Sequence, residues 1–515
     1  MSWDEKKGSE RGSRLPMFRD AVPERLRFPL LLLLPFVYQS SNPLYMNLAA
    51  SVAGGTGLRE TDVIMCGFAC ILGITVTFPL LFRLKFRFTT RQIVLVCSSA
   101  IVLLTLAAAQ VRWLPLLVAV CFLFGIFKVW GTFECMSSMM AVISPNMHLA
   151  PFLSVVFMAV FGGVELGGWA ATWVDHFYGW RCVSFALVAV HLLVLLFALV
   201  LLRDFRFQPS VPLRGVDWGG MALWSLLLLS LTALFVYGEQ LEWLRSPALV
   251  VCLGVSLMTL GLLLFRLSHQ PNAFLAPRCF AYRNLWPIMA LFLISGVMLS
   301  SQTVLQSVVT DGVLHYEPYC SVRLNGAILA GVVVGCLVGR CGLTGLGWNY
   351  KQLTGLSLLL TSMYVAAMYF LVGPATPLAA FALPCFFSGV GHALLFVVLT
   401  TYVESNTPFE HRFMMLTVLG LVRTGIASPI GNALYGHLLR KEMGRNVVLL
   451  ASDAGLASAD ALYGQALQDS VRHLYGLTVL LGVAALLILL LSRFNSKQYI
   501  TLPTLRKIYS IWQKA

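Results

Sequence analysis

The chain has 515 residues, of which 58% are hydrophobic and 11% charged, with a formal net charge of +14. A soluble domain carries roughly 25% charged residues, so this composition excludes the soluble class and describes an integral membrane protein. The positive charge then reads as an asymmetry between loops on the two sides of a bilayer, not as a nucleic-acid-binding surface.

Residues 1–27 are charged and lead into Pro-bounded hydrophobics without a small-residue cleavage site, so they read as an N-terminal tail and not as a removable signal peptide. Apolar runs of about 17–25 residues bounded by charge or turn residues predict fourteen spans, at 28–50, 64–83, 92–111, 114–138, 150–173, 182–202, 218–237, 247–266, 285–309, 322–340, 353–373, 377–403, 412–435 and 473–493. An even count puts both termini on one side, which holds 25 Lys and Arg against nine on the other. That bias predicts cytoplasmic termini. The segment 436–472, polar and with helical periodicity near its end, reads as an ordered or interfacial external loop. The tail 494–515 alternates basic and aromatic residues, a pattern that suits either the anionic inner leaflet or a solvated tail.

The twelve Cys fall mostly within apolar runs (Cys66, Cys70, Cys97, Cys121, Cys252, Cys336, Cys385). They form no Cys-x-x-Cys pair and no cluster with His at metal spacing, so no disulfide framework, metal site or cofactor is expected. No nucleophile motif or phosphate loop is present either, which argues against an enzyme.

Two segments repeat. Cys121-Phe-Leu-Phe-Gly-Ile-Phe-Lys128 in the fourth span aligns with Cys385-Phe-Phe-Ser-Gly-Val-Gly-His392 in the twelfth. Lys128 and His392 then occupy matched depths, about 20 Å from one surface at 1.5 Å per residue. Each segment is followed by a break, at Ser144-Pro145 and Thr407-Pro408, and a new apolar run. Homologous halves that place equivalent residues across a central axis are a transporter architecture. The pairing predicts an all-α membrane protein of two six-helix halves, 28–202 and 284–493, joined by a linker, 203–283, that carries an inserted helix hairpin at 218–266.

Four charged residues lie well inside the spans, where each costs about 2.5–3.5 kcal/mol unless paired or wetted: Lys128, Glu134, Glu165 and Arg423. Lys128 either binds an anionic group or pairs with Glu165, and the two roles are compatible. Glu165, packed between glycines, has the environment of a proton carrier. Arg423 complements it from the other half. Glu134 lines the inner mouth or is wetted there, and His392 either titrates or packs as a hydrogen-bonded histidine. Polar runs in spans one (Gln39, Ser40, Ser41, Asn42, Tyr45, Asn47) and nine (Ser300, Ser301, Gln302, Gln306) read either as substrate-cavity lining or as hydrogen bonds between helices.

Several motifs resemble the 14-helix drug:proton antiporter branch of the major facilitator superfamily. Gly163-Val-Glu-Leu-Gly167-Gly168 is similar to its fifth-helix glycine motif. Gly179-Trp180-Arg181 is similar to the start of its sixth helix, and Asp217-Trp-Gly-Gly220 with Gly238-Glu239 and Trp243 to the marks around its inserted pair. Arg423 with Gly425 and Gly431 resembles its thirteenth helix. The basic loop Arg83, Lys85, Arg87 and Arg91 resembles its gating loop, although Phe82 and Phe86 replace the Gly and Asp of that motif. Cys121 stands where the family has an Arg, and Val164 where it has a Pro. The resemblance implies proton-coupled efflux of an amphipathic or anionic organic solute across a bacterial inner membrane. Its partners would be the solute, protons and the lipid bilayer, and an adaptor encoded next door would mark a periplasmic adaptor and outer-membrane channel. The altered motifs leave open an uptake symporter or lipid mover on the same fold. A sensor or membrane enzyme is the remote alternative.

Overall fold

The computed structural model describes residues 15–144, 148–205, 215–270, 273–275, 285–408, 411–453 and 459–492. The expected terminal tails, the break after Ser144 and most of the linker either side of the hairpin therefore lie largely outside the described residues. Thirteen described helices are long and apolar enough to cross a membrane. In chain order the main helices are α1 (Glu24–Ser40), α2 (Glu60–Thr77), α3 (Thr90–Gln110), α4 (Leu114–Ile143), α5 (Leu149–Tyr178), α6 (Trp180–Leu201), α7 (Trp218–Gly238), α8 (Pro247–His269), α9 (Leu285–Ser307), α10 (Leu324–Thr344), α11 (Tyr350–Leu371) and α12 (Ala382–Asn406). A rod follows in three pieces, helix Arg412–Gly420, a π-helical stretch Leu421–Ala427 and α13 (Ser428–Asp453), and then α14 (Ala459–Leu491).

The first expected span, 28–50, is not one helix. It stops at Ser40, Ser41 turns extended, and a short helix resumes at Ala49–Thr56. Pro43 explains the break, because a proline lacks the N–H and pushes the preceding residue out of the helical region. The expected external loop 436–472 is also corrected. Here α13 continues as helix to Asp453 and α14 starts at Ala459. The two extensions are tied by Asn446 donating to Ser470 at 2.9 Å and by Glu442 facing His473 at 3.5 Å.

Local chemistry sets several boundaries. Thr89 and Gln92 form a reciprocal capping box at the start of α3, as do Asn349 and Gln352 at α11. Between α5 and α6 the chain reverses through Gly179 at φ +83°, a left-handed backbone that favours glycine.

The same helix pairs contact one another in residues 24–201 and in residues 285–491. Contacts α2–α4, α3–α4, α3–α6 and α1–α5 in the first set correspond to α10–α12, α11–α12, α11–α14 and α9–α13 in the second. The repeated sequence lies at the tightest of these. A Cβ on Gly73 would collide with the Phe122 carbonyl and one on Gly125 with the Cys70 carbonyl. A Cβ on Gly331 would collide likewise with the Phe386 carbonyl and one on Gly389 with the Ile328 carbonyl. The shared Phe and Gly of the repeat thus let backbones touch, the small-residue packing typical of membrane helices. The α7–α8 hairpin lies across the seam, where Leu228 joins Leu72 and Val76 of α2 and Val418 and Leu421 of the rod in one buried cluster.

Candidate functional site

The seam between the two sets of helices runs along α5, which packs on both α10 and α12. Phe161 of α5 stacks near His392 of α12, with ring centroids 4.6 Å apart, and meets Phe396 edge-on at 5.1 Å. Phe157, one turn earlier, meets Phe396 at 5.0 Å, and Phe292 of α9 meets it at 5.2 Å. Into this aromatic cluster the π-helical stretch delivers Arg423. Its guanidinium carbon lies 4.1 Å from the Phe396 ring centre and 5.2 Å from that of Phe161, and Nη2 donates to His392 Nε2. A π-turn adds a residue to the helical repeat and re-aims the side chains that follow, which is why such turns gather at working sites.

One turn beyond Phe161 on the same face of α5 is Glu165. It is partly buried, and among the described residues it forms no hydrogen bond or ion pair. Cys385 of α12 lies within electrostatic reach of its carboxylate. The expected pairing of Glu165 with Lys128 is therefore not formed, nor is a pairing with Arg423. Lys128, buried at 2% exposure, donates to Asn42 at 2.9 Å. Its amine reaches the break after α1. Cys70 and His191 are its other polar neighbours.

Glu134 departs furthest from expectation. It is not wetted, but 2% exposed and paired with Lys85 of the basic loop at 3.4 Å. Thr90 and Ser138 also donate to the same carboxylate oxygen, at 2.6 and 3.1 Å, and Lys85 reaches Ser137 at 2.8 Å. Of the other basic-loop residues, Arg91 pairs with Asp204 at 3.0 Å, Arg83 is partly buried and Arg87 is exposed.

The polar runs of α1 and α9 are largely occupied by helix-to-helix bonds. Gln39 donates to Thr132 at 2.8 Å and Asn47 to Thr172 at 2.7 Å, whereas Tyr45 donates locally to the Ser40 carbonyl at 2.6 Å. Gln302 accepts from Ser388 at 2.7 Å, and Gln306 from Tyr364 at 3.1 Å. Gln302, Gln306 and Asn42 are partly buried, whereas Gln39 is buried. In the glycine motif, a Cβ on Gly163 would come within 2.8 Å of Gln39 Cβ and one on Gly167 within 2.7 Å of Ser40 Cα. Gly168 has room, with 3.7 Å to Asn47 and Asn325. Gly163 and Gly167 therefore seat α1 on α5, and this contact carries Glu165 between them toward α12.

Sequence reading passed over Phe161 and Phe396, because Phe is common in membrane spans, although Phe161 lies one turn from Glu165 and Phe396 one turn from His392. It also passed over Glu404 and Arg412. Glu404 is 5% and Arg412 6% exposed, where α12 meets the rod. The Arg412 guanidinium and the Glu404 carboxylate lie within electrostatic reach of each other.

Comparison with solved structures gives the same fold at low identity. The chain aligns with the human organic anion transporter MFSD10 (TETRAN) at 13% identity and a TM-score of 0.51, covering 91% of this chain and 100% of that one. An auto-inhibited peptide transporter of the POT family aligns at 14% identity and 0.53, covering 91% and 98%. A mutant of the nucleoside transporter NupG aligns at 13% and 0.53, covering 90% and 99%. Residues 30–432 match the sequence profile of the Major Facilitator Superfamily. With a membrane-spanning bundle, paired helix contacts repeated in its two parts and a match over most of its length, the chain is a transporter-type protein, not an enzyme, and belongs to the Major Facilitator Superfamily.

Proposed function

We propose that this chain is a secondary active transporter that exports an amphipathic or anionic organic solute in exchange for protons. The single observation that carries the reading is Glu165. It is a carboxylate within a span, at the seam of the two helix sets, with no ion partner among the described residues. A carboxylate kept there at a cost of a few kcal/mol without a structural partner is a functional group by default. Seated by Gly163 and Gly167, it can take a proton from one side and lose it to the other as the halves rock.

Residues 28–202 and 284–493 are the rocking units, with the α7–α8 hairpin as the insert, and α1 with the short helix after it makes a fourteenth crossing. Both termini face the cytoplasm of a bacterial inner membrane, following the Lys and Arg bias. The neighbours' solutes span organic anions, peptides and nucleosides, so the shared fold does not select the solute. An adaptor and outer channel belong to this same export reading, and crosslinking in intact cells is their test.

The coupling test is direct. Purified protein is reconstituted with a pH dye inside the vesicles, and candidate solutes are added. The expected result is solute-driven proton movement that Glu165→Gln abolishes. Solute flux indifferent to a pH gradient would sink proton coupling. Proton entry together with solute, instead of against it, would make the protein a symporter.

A further inference from the structure

Lys128 and Arg423, the two cations deep within the spans, both lack a carboxylate partner among the described residues but are unequal. Lys128 is sealed at 2% exposure and bonded to Asn42. Arg423 is only partly buried and sits at the seam itself. A guanidinium offers five N–H donors. Among the described residues, one of these, at Nη2, has a hydrogen-bond partner, and that partner is the neutral acceptor His392 Nε2. The guanidinium carbon lies over the rings of Phe396 and Phe161, which leave its other N–H donors without a partner among the described residues and so available to a ligand. Aromatic faces stabilise the positive charge without using its hydrogen bonds.

No carboxylate compensates the guanidinium among the described residues. Glu134, the other acid within the N-terminal set of spans that could offset a cation, is taken up by Lys85, and Glu165 pairs with neither Lys128 nor Arg423. An anion arriving at the seam meets an uncompensated guanidinium in a low-dielectric site, whereas a cation must displace or approach it. The fork geometry of Arg suits a carboxylate or sulfonate bidentately. Beside it, Phe157, Phe161, Phe292 and Phe396 form a continuous apolar wall on both sides of the seam.

We propose that Arg423 is the anchor for the charged head of the transported solute, and that the solute is an amphipathic organic monoanion whose apolar body lies along the Phe157–Phe161–Phe396 wall. This inference rests on the transport reading and narrows its solute. His392 is then a positioning residue, whose bond turns the guanidinium so that its free edge faces the seam.

Three probes with one apolar body separate charge from hydrophobicity: 1-pyrenebutyrate, 1-pyrenebutanol and a pyrenebutyl trimethylammonium salt. Binding is measured by equilibrium dialysis against full-length protein in nanodiscs, with empty nanodiscs as blank, and flux is measured in proteoliposomes. The expected order is butyrate tightest. Arg423→Gln should weaken butyrate at least about tenfold, the usual size of a lost charge-assisted hydrogen bond, and leave the butanol unchanged. Arg423→Lys, which keeps the charge and loses the fork, should recover part of that loss and guards against a folding artefact. His392→Gln should weaken butyrate less than Arg423→Gln does. Equal binding of the cationic and anionic probes, or butyrate binding unmoved by Arg423→Gln in monodisperse protein, would overturn the proposal while leaving transport intact. Arg423-dependent butyrate binding without any flux would instead overturn the transport reading and keep the anion site.

Discussion

Removing the Lys85 amine should leave one of the most exposed energetic weaknesses in the molecule. Lys85 and Glu134 are 4% and 3% exposed at the side chain and 3.4 Å apart. At that distance and an effective dielectric near 20, the attraction is about 5 kcal/mol, set against the desolvation of both groups. Lys85→Ala removes the attraction but not the burial of Glu134, so a cost of about 3–5 kcal/mol is expected. Three hydroxyls soften but do not replace the charge, since Thr90 and Ser138 donate to Glu134 and Ser137 had accepted from Lys85. Glu134→Gln in the same background removes the orphaned charge and should recover most of the loss. The assay is the midpoint of thermal unfolding in detergent, followed by size-exclusion recovery of the wild type, the two single variants and the double variant. The expected order is Lys85→Ala lowest, with the double variant above it, which gives a large coupling energy in the double-mutant cycle. If Lys85→Ala melts with the wild type, or the double variant is no better than Lys85→Ala, the buried pair is not what fixes the basic loop to α4.

Two further outcomes are expected. Gly167→Ala should cost about 1–3 kcal/mol by overpacking, because the new Cβ falls 2.7 Å from Ser40 Cα, whereas Gly168→Ala, with 3.7 Å to its nearest neighbours, should be nearly silent; equal thermal shifts would contradict the α1–α5 contact. Asp217, at the start of α7, accepts from Arg266 at 2.6 Å, Gly220 N at 2.8 Å and Phe274 N at 3.1 Å. Burial alone would raise its pKa, but these bonds outweigh it and hold the carboxyl below its usual range. Its contribution is therefore present above the unfolded value near pH 4 and lost as pH falls through the folded one. Asp217→Asn should lower the melting midpoint at neutral pH, and the gap to wild type should close in acid. A gap that persists at the acid end would mean the shape of the residue matters and its charge does not.

The sequence by itself determined the class, the positions of most spans and the seat of Glu165 between motif glycines. Hydrophobic run length, backbone satisfaction in lipid and the cost of intramembrane charge are properties of local sequence. It located the repeat too, but the meaning of those residues came from packing. The shared Phe and Gly of Cys121–Lys128 and Cys385–His392 bring backbones together, and Lys128 and His392, which correspond in the repeat, have unlike partners, Asn42 and Arg423. The polar runs of the first and ninth spans read either as a cavity lining or as bonds between helices, and several of these residues are engaged in bonds to other helices. Only the tertiary structure decided which charge meets which. Depth along a helix fixes a residue's level, but the rotation of each helix about its axis is set by side chains on its neighbours. That rotation turned Lys128 toward Asn42, gave Glu134 to Lys85, and left Glu165 and Arg423 at the seam without each other. The π-helical stretch Leu421–Ala427, invisible to apolar periodicity, set the Arg423 guanidinium against two phenylalanines of opposite halves.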